Sequence, residues 1–313
     1  MINWVIGSHG LLGSAVKDEL LKLGDPWQPS SRIIWAENND SESIIRMQAS
    51  INAAVEEFAG EYAEQTWNIF WCAGIGVVNS PTEVLELEIM AVKILLLSLE
   101  KFGLTSNSLG KIFFASSAGG VYAGSINPPF TEATRAVPIS NYGRQKIEIE
   151  QLLMNFGEKQ KTKIVLGRIS NLYGVKQNRR KQQGLITTLV QSSLTNTIIN
   201  LYVPLNTIRN YIFAPDAAHQ IVSEVMETNE PSRLVIICSI HNWNLSSILR
   251  MTQDVTKKRL RYFQSSRAAT MLQPIDLRLS SERNSSYPET HLVVGISKIQ
   301  LHLLDNLQRG VLV

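Results

Sequence analysis

Ile2-Asn3-Trp4-Val5-Ile6-Gly7-Ser8-His9-Gly10-Leu11-Leu12-Gly13 decides the fold. The stretch begins as a short apolar strand, turns on glycines at every third residue, and continues as an amphipathic helix to Leu23, ended by Gly24. This arrangement answers a set of physical demands. A tight turn after a strand needs positive φ, the backbone must approach a pyrophosphate closely, and the helix start must pack on the sheet. A helix beginning there offers free N–H groups and a partial positive charge to phosphate oxygens. Gly7, Ser8, His9, Gly10, Leu11, Leu12 and Gly13 are therefore the candidate dinucleotide cradle. Their spacing departs from the simplest Gly-x-Gly-x-x-Gly fingerprint. His9 reads equally as a cofactor contact and as a solvated loop residue.

Working outward, apolar runs at 67–72, 111–115 and 163–169 alternate with helical patterns at 51–58, 83–102 and 141–155. That alternation predicts a parallel sheet covered by helices. A second strand is expected near 27–31, weakened by Pro26 and Pro29, and a short third at 33–35. The helix at 83–102 is apolar nearly all round, which predicts burial of both its faces. Past Asn171 the pattern loosens into a helix from Leu185, short strands near 199–203 and 211–213, a helix at 216–226 and a strand at 234–240. The expectation is an α/β fold with a Rossmann-type, doubly wound parallel sheet. Residues 1–171 form it, with 209–240 returning to the sheet, and 172–313 form a smaller C-terminal α/β part that mainly binds substrate.

Composition narrows the function classes. The 313 residues are 44% hydrophobic and 18% charged with a net charge of +3, ordinary for a soluble globular protein. The one basic run, Arg179-Arg180-Lys181, lacks interleaved aromatics, so nucleic acid is not an expected partner. No leader, membrane span or metal-ligand spacing is expected, since His219, His241, His291 and His302 are scattered. Two cysteines in apolar segments, Cys72 and Cys238, read as buried free thiols in a cytoplasmic protein.

The cofactor's ribose normally meets the end of the second strand, where an acid selects a 2′-hydroxyl and arginine accommodates a 2′-phosphate. Ser31-Arg32 falls there with no acid in register, which leans toward NADP over NAD; Glu37 serves in a different register. Further on, Tyr142 and Lys146 lie four apart on one helix face. A lysine ammonium beside a phenol favours the phenolate, so Tyr142 is a candidate for taking or giving a proton at a hydroxyl or carbonyl. Ser117 ends the strand that precedes them, and strand C-termini are where open α/β sheets bind ligands.

In this order the features resemble the extended short-chain dehydrogenase/reductase family, which comprises NAD(P)-dependent nucleotide-sugar epimerases, dehydratases and reductases. The resemblance runs from the glycine turn through Trp71-Cys72-Ala73-Gly74 and the segment from Ala115 to Gly124. It continues through Tyr142/Lys146 and Gly167-Arg-Ile-Ser-Asn-Leu-Tyr-Gly174 to Arg209-Asn-Tyr-Ile-Phe-Ala-Pro-Asp216. It covers about residues 1–225 and the tail only loosely. It implies that Ser117, Tyr142 and Lys146 are catalytic, and that Cys72, Ala73, Gly74, Tyr142 and Lys146 contact the cofactor, with Lys146 placed to hold the ribose hydroxyls of a nicotinamide nucleotide. It also implies that Ser117, Asn171 and Arg209 contact a nucleotide-sugar substrate, and that the chain forms a homodimer through the helices at 83–102 and 141–155. Sugar specificity is expected from 177–186 and the last seventy or so residues, including Gln273-Pro-Ile-Asp-Leu-Arg278.

Departures from the family pattern narrow the chemistry. Ala118-Gly119-Gly120 carries no proton-transferring side chain where the family's dehydratases place an acidic pair, which disfavours water elimination. A 4-epimerase and an NADPH-dependent keto-sugar reductase both remain, with a non-catalytic dinucleotide sensor as the alternative of another class. An asparagine that the family carries early in the long helix is also missing, and Glu88-Ile89-Met90 occupies its region.

Overall fold

The computed structural model describes residues 1–24, 26–62, 65–74, 76–105, 110–177, 184–264, 274–283, 287 and 289–310. The run Arg179-Arg180-Lys181 and Gln273 lie outside them, as does most of 177–186. In chain order the elements are β1 (Ile2–Ile6), α1 (Leu11–Leu20), α2 (Ser41–Tyr62), β2 (Trp67–Trp71), α3 (Thr82–Lys101) and β3 (Gly110–Ser117). There follow α4 (Ala118–Val121), α5 (Asn141–Gln160), β4 (Lys163–Ile169), β5 (Asn171–Tyr173), α6 (Leu185–Thr195), β6 (Ile198–Leu201) and β7 (Ile208–Phe213). The chain closes with α7 (Ala214–Glu227), β8 (Ser232–Ile237), β9 (Asn242–Asn244), α8 (Leu245–Thr256), β10 (Arg261–Gln264), β11 (Asp276–Leu277) and α9 (Leu292–Gln308).

The main sheet is parallel in the order β1-β2-β3-β4-β8, with helices on both faces. Its strands alternate their side chains between two cores, as a period of two requires. Trp4 and Ile6 face the layer of α2, α3 and α5. Val5 turns the other way, toward Leu12, Val16 and Leu20 of α1 and Ile221 and Val225 of α7. The third cluster lies in the C-terminal part, where α6, α8 and α9 pack together through Ile186, Leu189, Ile248, Ile296 and Ile299. There β10 pairs with β6, and β7 is flanked by β5 and β11 with β9 antiparallel to it.

Two expected strands are corrected. The segment at 27–31 keeps one bridge to the sheet, Trp27 beside Trp4, through the Trp27 N–H donating to Asn3 O at 2.8 Å. Pro26 and Pro29 have no N–H to continue a ladder, and the Ser30 N–H is taken by the Glu57 carboxylate. Aromatic packing holds the segment instead, with the Trp27 ring 5.1 Å from Trp4 and 4.9 Å from Phe58. Residues 33–35 form no strand, and the Ile34 N–H donates to Ser50 Oγ on α2. The helix placed at 51–58 runs over the whole of α2, and that at 141–155 extends to Gln160.

Cys238 is buried and Cys72 partly so, and burial pushes the Cys72 thiol up. Among the described residues no helix is long and apolar enough to cross a membrane, and no group of three or more His, Cys, Asp or Glu is placed to hold a metal.

Candidate active site

A cavity of about 600 Å³ opens at the C-terminal ends of β1 and β2. There the sheet's winding reverses, because Trp27 adds to one side of β1 and β2 to the other. Such switch points are where open α/β sheets bind ligands. The glycine turn forms one wall. Gly7 has φ +87°, and a Cβ there would come within 2.7 Å of Ala73 N. A Cβ on Gly13 would lie 2.1 Å from Gly7 O, so the helix can start this close to the strand only without one. Gly10 lines the cavity and begins α1 in extended conformation, with no side-chain cap on the first N–H groups of the helix.

Of the expected cradle residues, Gly7, Ser8, His9 and Gly10 line the cavity. Leu12 turns into the core instead, and Leu11 leans toward Gly174. Ser31 and Arg32 line it, as do Cys72, Ala73 and Gly74.

Three lining residues outside the expected cofactor contacts carry buried polar atoms with no hydrogen-bond partner among the described residues. They are Gln28 Nε2, Trp71 Nε1 and Glu88 Oε2. Leaving such groups unpaired costs on the order of 1–3 kcal/mol each, and two donors and one acceptor around one cavity define what fills it. Together with the glycine cradle they fit a dinucleotide, a ligand that carries phosphate and ring acceptors as well as sugar hydroxyls. Gln28 had no signal, lying in an irregular segment. Trp71 ends a strand, and the missing asparagine already marked the region of Glu88.

Ser117 and Tyr142 meet at Gly120 and Lys146 lies beside Tyr142; none of the three lines the cavity, which reaches them through Glu88. Ser117 ends β3, and its Oγ accepts the Gly120 N–H at 3.2 Å, capping α4. The Tyr142 ring lies against Gly120 so closely that a Cβ there would be 3.1 Å from it. Ser140 caps α5 by accepting the Gly143 N–H, which fixes the turn that presents Tyr142 and Lys146. Lys146 Nζ sits 5.6 Å from the Tyr142 ring centre and donates to Glu88 Oε1 at 2.6 Å and Ala115 O at 3.4 Å. Burial alone would pull the Lys146 ammonium down; the Glu88 carboxylate and the neighbouring Tyr142 outweigh it and hold the group above its ordinary value.

A buried network adjoins this cluster. Arg168 grips Glu150 with Nε at 3.0 Å and a terminal nitrogen at 2.6 Å, and donates to the Tyr122 hydroxyl at 2.9 Å. Ser116 donates to the same Glu150 carboxylate at 2.6 Å. The network ties β3, α5 and β4 to Tyr122 at the end of α4, and it begins at Ser116, the residue next to Ser117.

Asn171 and Arg209 stand on the paired strands β5 and β7, outside the cavity's lining. Asn171 Nδ2 donates to Asn210 O at 2.8 Å. Arg209 donates to the carbonyls of Ile208, Pro274 and Ile275, and so pins the segment before β11. Burial draws its guanidinium below its ordinary value.

Comparison with known proteins follows these features. The chain is 33% identical over 113 residues to dTDP-4-dehydro-6-deoxyglucose reductase of Escherichia coli, a match spanning 36% of this chain and 35% of the reductase. It is 24% identical over 218 residues to a putative UDP-glucose 4-epimerase of Methanocaldococcus jannaschii, covering 68% of this chain and 70% of that protein. The crystal structure of Thermus thermophilus UDP-glucose 4-epimerase in complex with NAD superposes with a TM-score of 0.77 at 18% identity, covering 97% of this chain and 99% of that one. Residues 4–237 match the NAD dependent epimerase/dehydratase family. The chain belongs to that family of NAD-dependent enzymes, on a Rossmann-type sheet of the extended short-chain dehydrogenase kind.

Proposed function

We propose that the chain is a nucleotide-sugar 4-epimerase acting through Tyr142, Lys146 and Ser117. The observation that carries this reading is that Ser117 and Tyr142 meet at Gly120, with Lys146 beside the Tyr142 ring and paired to Glu88, a residue lining the cavity with the glycine cradle. A nicotinamide held there would supply a reversible hydride acceptor for the sugar carbon. Tyr142 takes the proton of the sugar hydroxyl as it is oxidised and gives it back on reduction. Ser117 holds the same oxygen by a hydroxyl hydrogen bond. Lys146 keeps a positive charge beside the phenol. Gly7, Ser8, Gly10, Ser31, Arg32, Cys72, Ala73 and Gly74 hold the cofactor, and Asn171 and Arg209 serve the nucleotide diphosphate.

A second reading, a keto-sugar reductase fed by NADPH, is favoured by Ser31 and Arg32 on the cavity rim and by the 33% match to a reductase. One measurement separates the two: the nucleotide released from denatured protein. Tightly held NAD together with interconversion of UDP-glucose and its 4-epimer supports the epimerase. An empty site that accepts NADPH and consumes it with a keto-sugar supports the reductase. Unchanged turnover in Tyr142→Phe would refute both. A homodimer through α3 and α5, which pack on each other and leave Leu97 and Met154 exposed, completes the reading. Sedimentation of Leu97→Glu tests it by loss of the dimer.

A further inference from the structure

Glu88 is 7% exposed and stands where the cavity meets the candidate catalytic lysine. One carboxylate oxygen, Oε1, is taken by Lys146 Nζ at 2.6 Å. The other, Oε2, is buried and has no partner among the described residues. The chain around it makes room for this carboxylate. A Cβ on Gly74 would lie 3.1 Å from Oε1, and one on Gly76 would lie 3.4 Å from Oε2. The ion pair accounts for one oxygen only. A buried carboxylate oxygen needs a donor, and the cavity is the side from which one can arrive.

We infer that Glu88 is a cofactor-binding residue whose Oε2 accepts a hydroxyl of the ribose nearest the reacting end, while Oε1 fixes Lys146. The inference rests on the dinucleotide reading of the cavity and adds to it the residue that recognises the second sugar. The assignment to that sugar follows from position. Gln28 follows Trp27, which flanks β1 on one side; the glycine turn follows β1 itself; and Glu88 stands on the helix after β2, on the other side, paired with Lys146. A vicinal diol suits the site, because a carboxylate accepts from hydroxyls and Lys146 can serve the adjacent oxygen.

The test is calorimetric titration of the full chain with ADP, which lacks the second ribose, and with ADP-ribose, which has it. Wild-type protein is expected to bind ADP-ribose more tightly than ADP. In Glu88→Gln that advantage is expected to shrink about tenfold or more, with ADP affinity unchanged. Glu88→Asp keeps a charge for Lys146 but withdraws the oxygen, and it is expected to behave likewise even if the glutamine variant fails to fold. An advantage that is unchanged or larger in both variants overturns the role of Glu88 alone. Equal weakening of ADP and ADP-ribose also overturns it, because that result marks a structural effect. Wild-type protein that binds neither ligand overturns this inference together with the reading of the cavity.

Discussion

Lys146 Nζ lies 2.6 Å from Glu88 Oε1, and both side chains are almost completely buried. The pair joins α5 to α3 and places a full positive charge next to the Tyr142 ring. A buried pair contributes little net stability, yet removing one partner strands the other charge. Glu88→Gln is therefore expected to lower stability at pH 7 by roughly 3–5 kcal/mol. The sign with pH follows from the lysine. In the wild type its folded pKa is raised, so its contribution is full below the unfolded value of about 10.4 and is lost only as pH rises through the folded value. In the variant burial remains without the counter-charge, so the lysine is relieved by losing its proton. The gap between variant and wild type should narrow as pH rises toward 10. Urea unfolding at pH 7, 8.5 and 10 checks this, and a constant gap would show that removing the carboxylate does not change the proton occupancy of Lys146.

Gly119 and Gly120 are neighbours with opposite tolerances. Nothing lies within 4 Å of a Cβ placed on Gly119, whereas one on Gly120 meets the Tyr142 ring at 3.1 Å. Gly119→Ala is expected to keep both fold and turnover. Gly120→Ala must push the phenol by a few tenths of an ångström, and kcat is expected to fall about tenfold or more with little change in KM. Steady-state kinetics on the sugar nucleotide that the wild type converts would measure it, and equal effects from both variants would contradict the placement of Tyr142.

The glycine turn makes a sharper steric statement. A Cβ on Gly13 would stand 2.1 Å from Gly7 O, a backbone atom that cannot swing aside. Gly13→Ala is expected to shift α1 away from the turn, abolish ADP binding in calorimetry and lower Tm. Gly60→Ala, on α2 where nothing lies within 4 Å, is the matched control and should leave ADP binding unchanged and Tm no lower, since alanine favours the helix. Undiminished ADP affinity in Gly13→Ala would separate the turn from phosphate binding.

How much of this was legible beforehand depends on whether the signal was local. The turn at Gly7, Gly10 and Gly13 and the strands at 67–71 and 163–169 follow from periodicity and backbone chemistry alone, and the structure places them there. Tyr142 and Lys146 share a helix face because they are four apart, and their convergence with Ser117 came from the order of motifs. The weak second strand was flagged by Pro26 and Pro29 but its reduction to one bridge was not, because the aromatic packing of Trp27 on Phe58 is set by tertiary contacts. Nor could spacing pair Glu88 with Lys146 or Arg168 with Glu150, since those pairs join side chains on separate elements. The orphaned donors on Gln28 and Trp71 are visible only as an absence of partners in three dimensions.

Arg168 and Glu150 give the last prediction. Their two-point contact is closed off from water, and Ser116 and Tyr122 fill the remaining positions around it. Arg168→Met leaves the Glu150 carboxylate buried with only the Ser116 hydroxyl to satisfy it. The expected loss is roughly 3–5 kcal/mol by urea unfolding at pH 7. Replacing both charges, Arg168→Met with Glu150→Leu, removes the stranded carboxylate and should recover much of that loss. Turnover should not recover with it, because Ser116, the residue next to Ser117, and Tyr122 lose their partners in the network. A double variant that regains stability and full activity together would show the network to be scaffolding without influence on the site beside it.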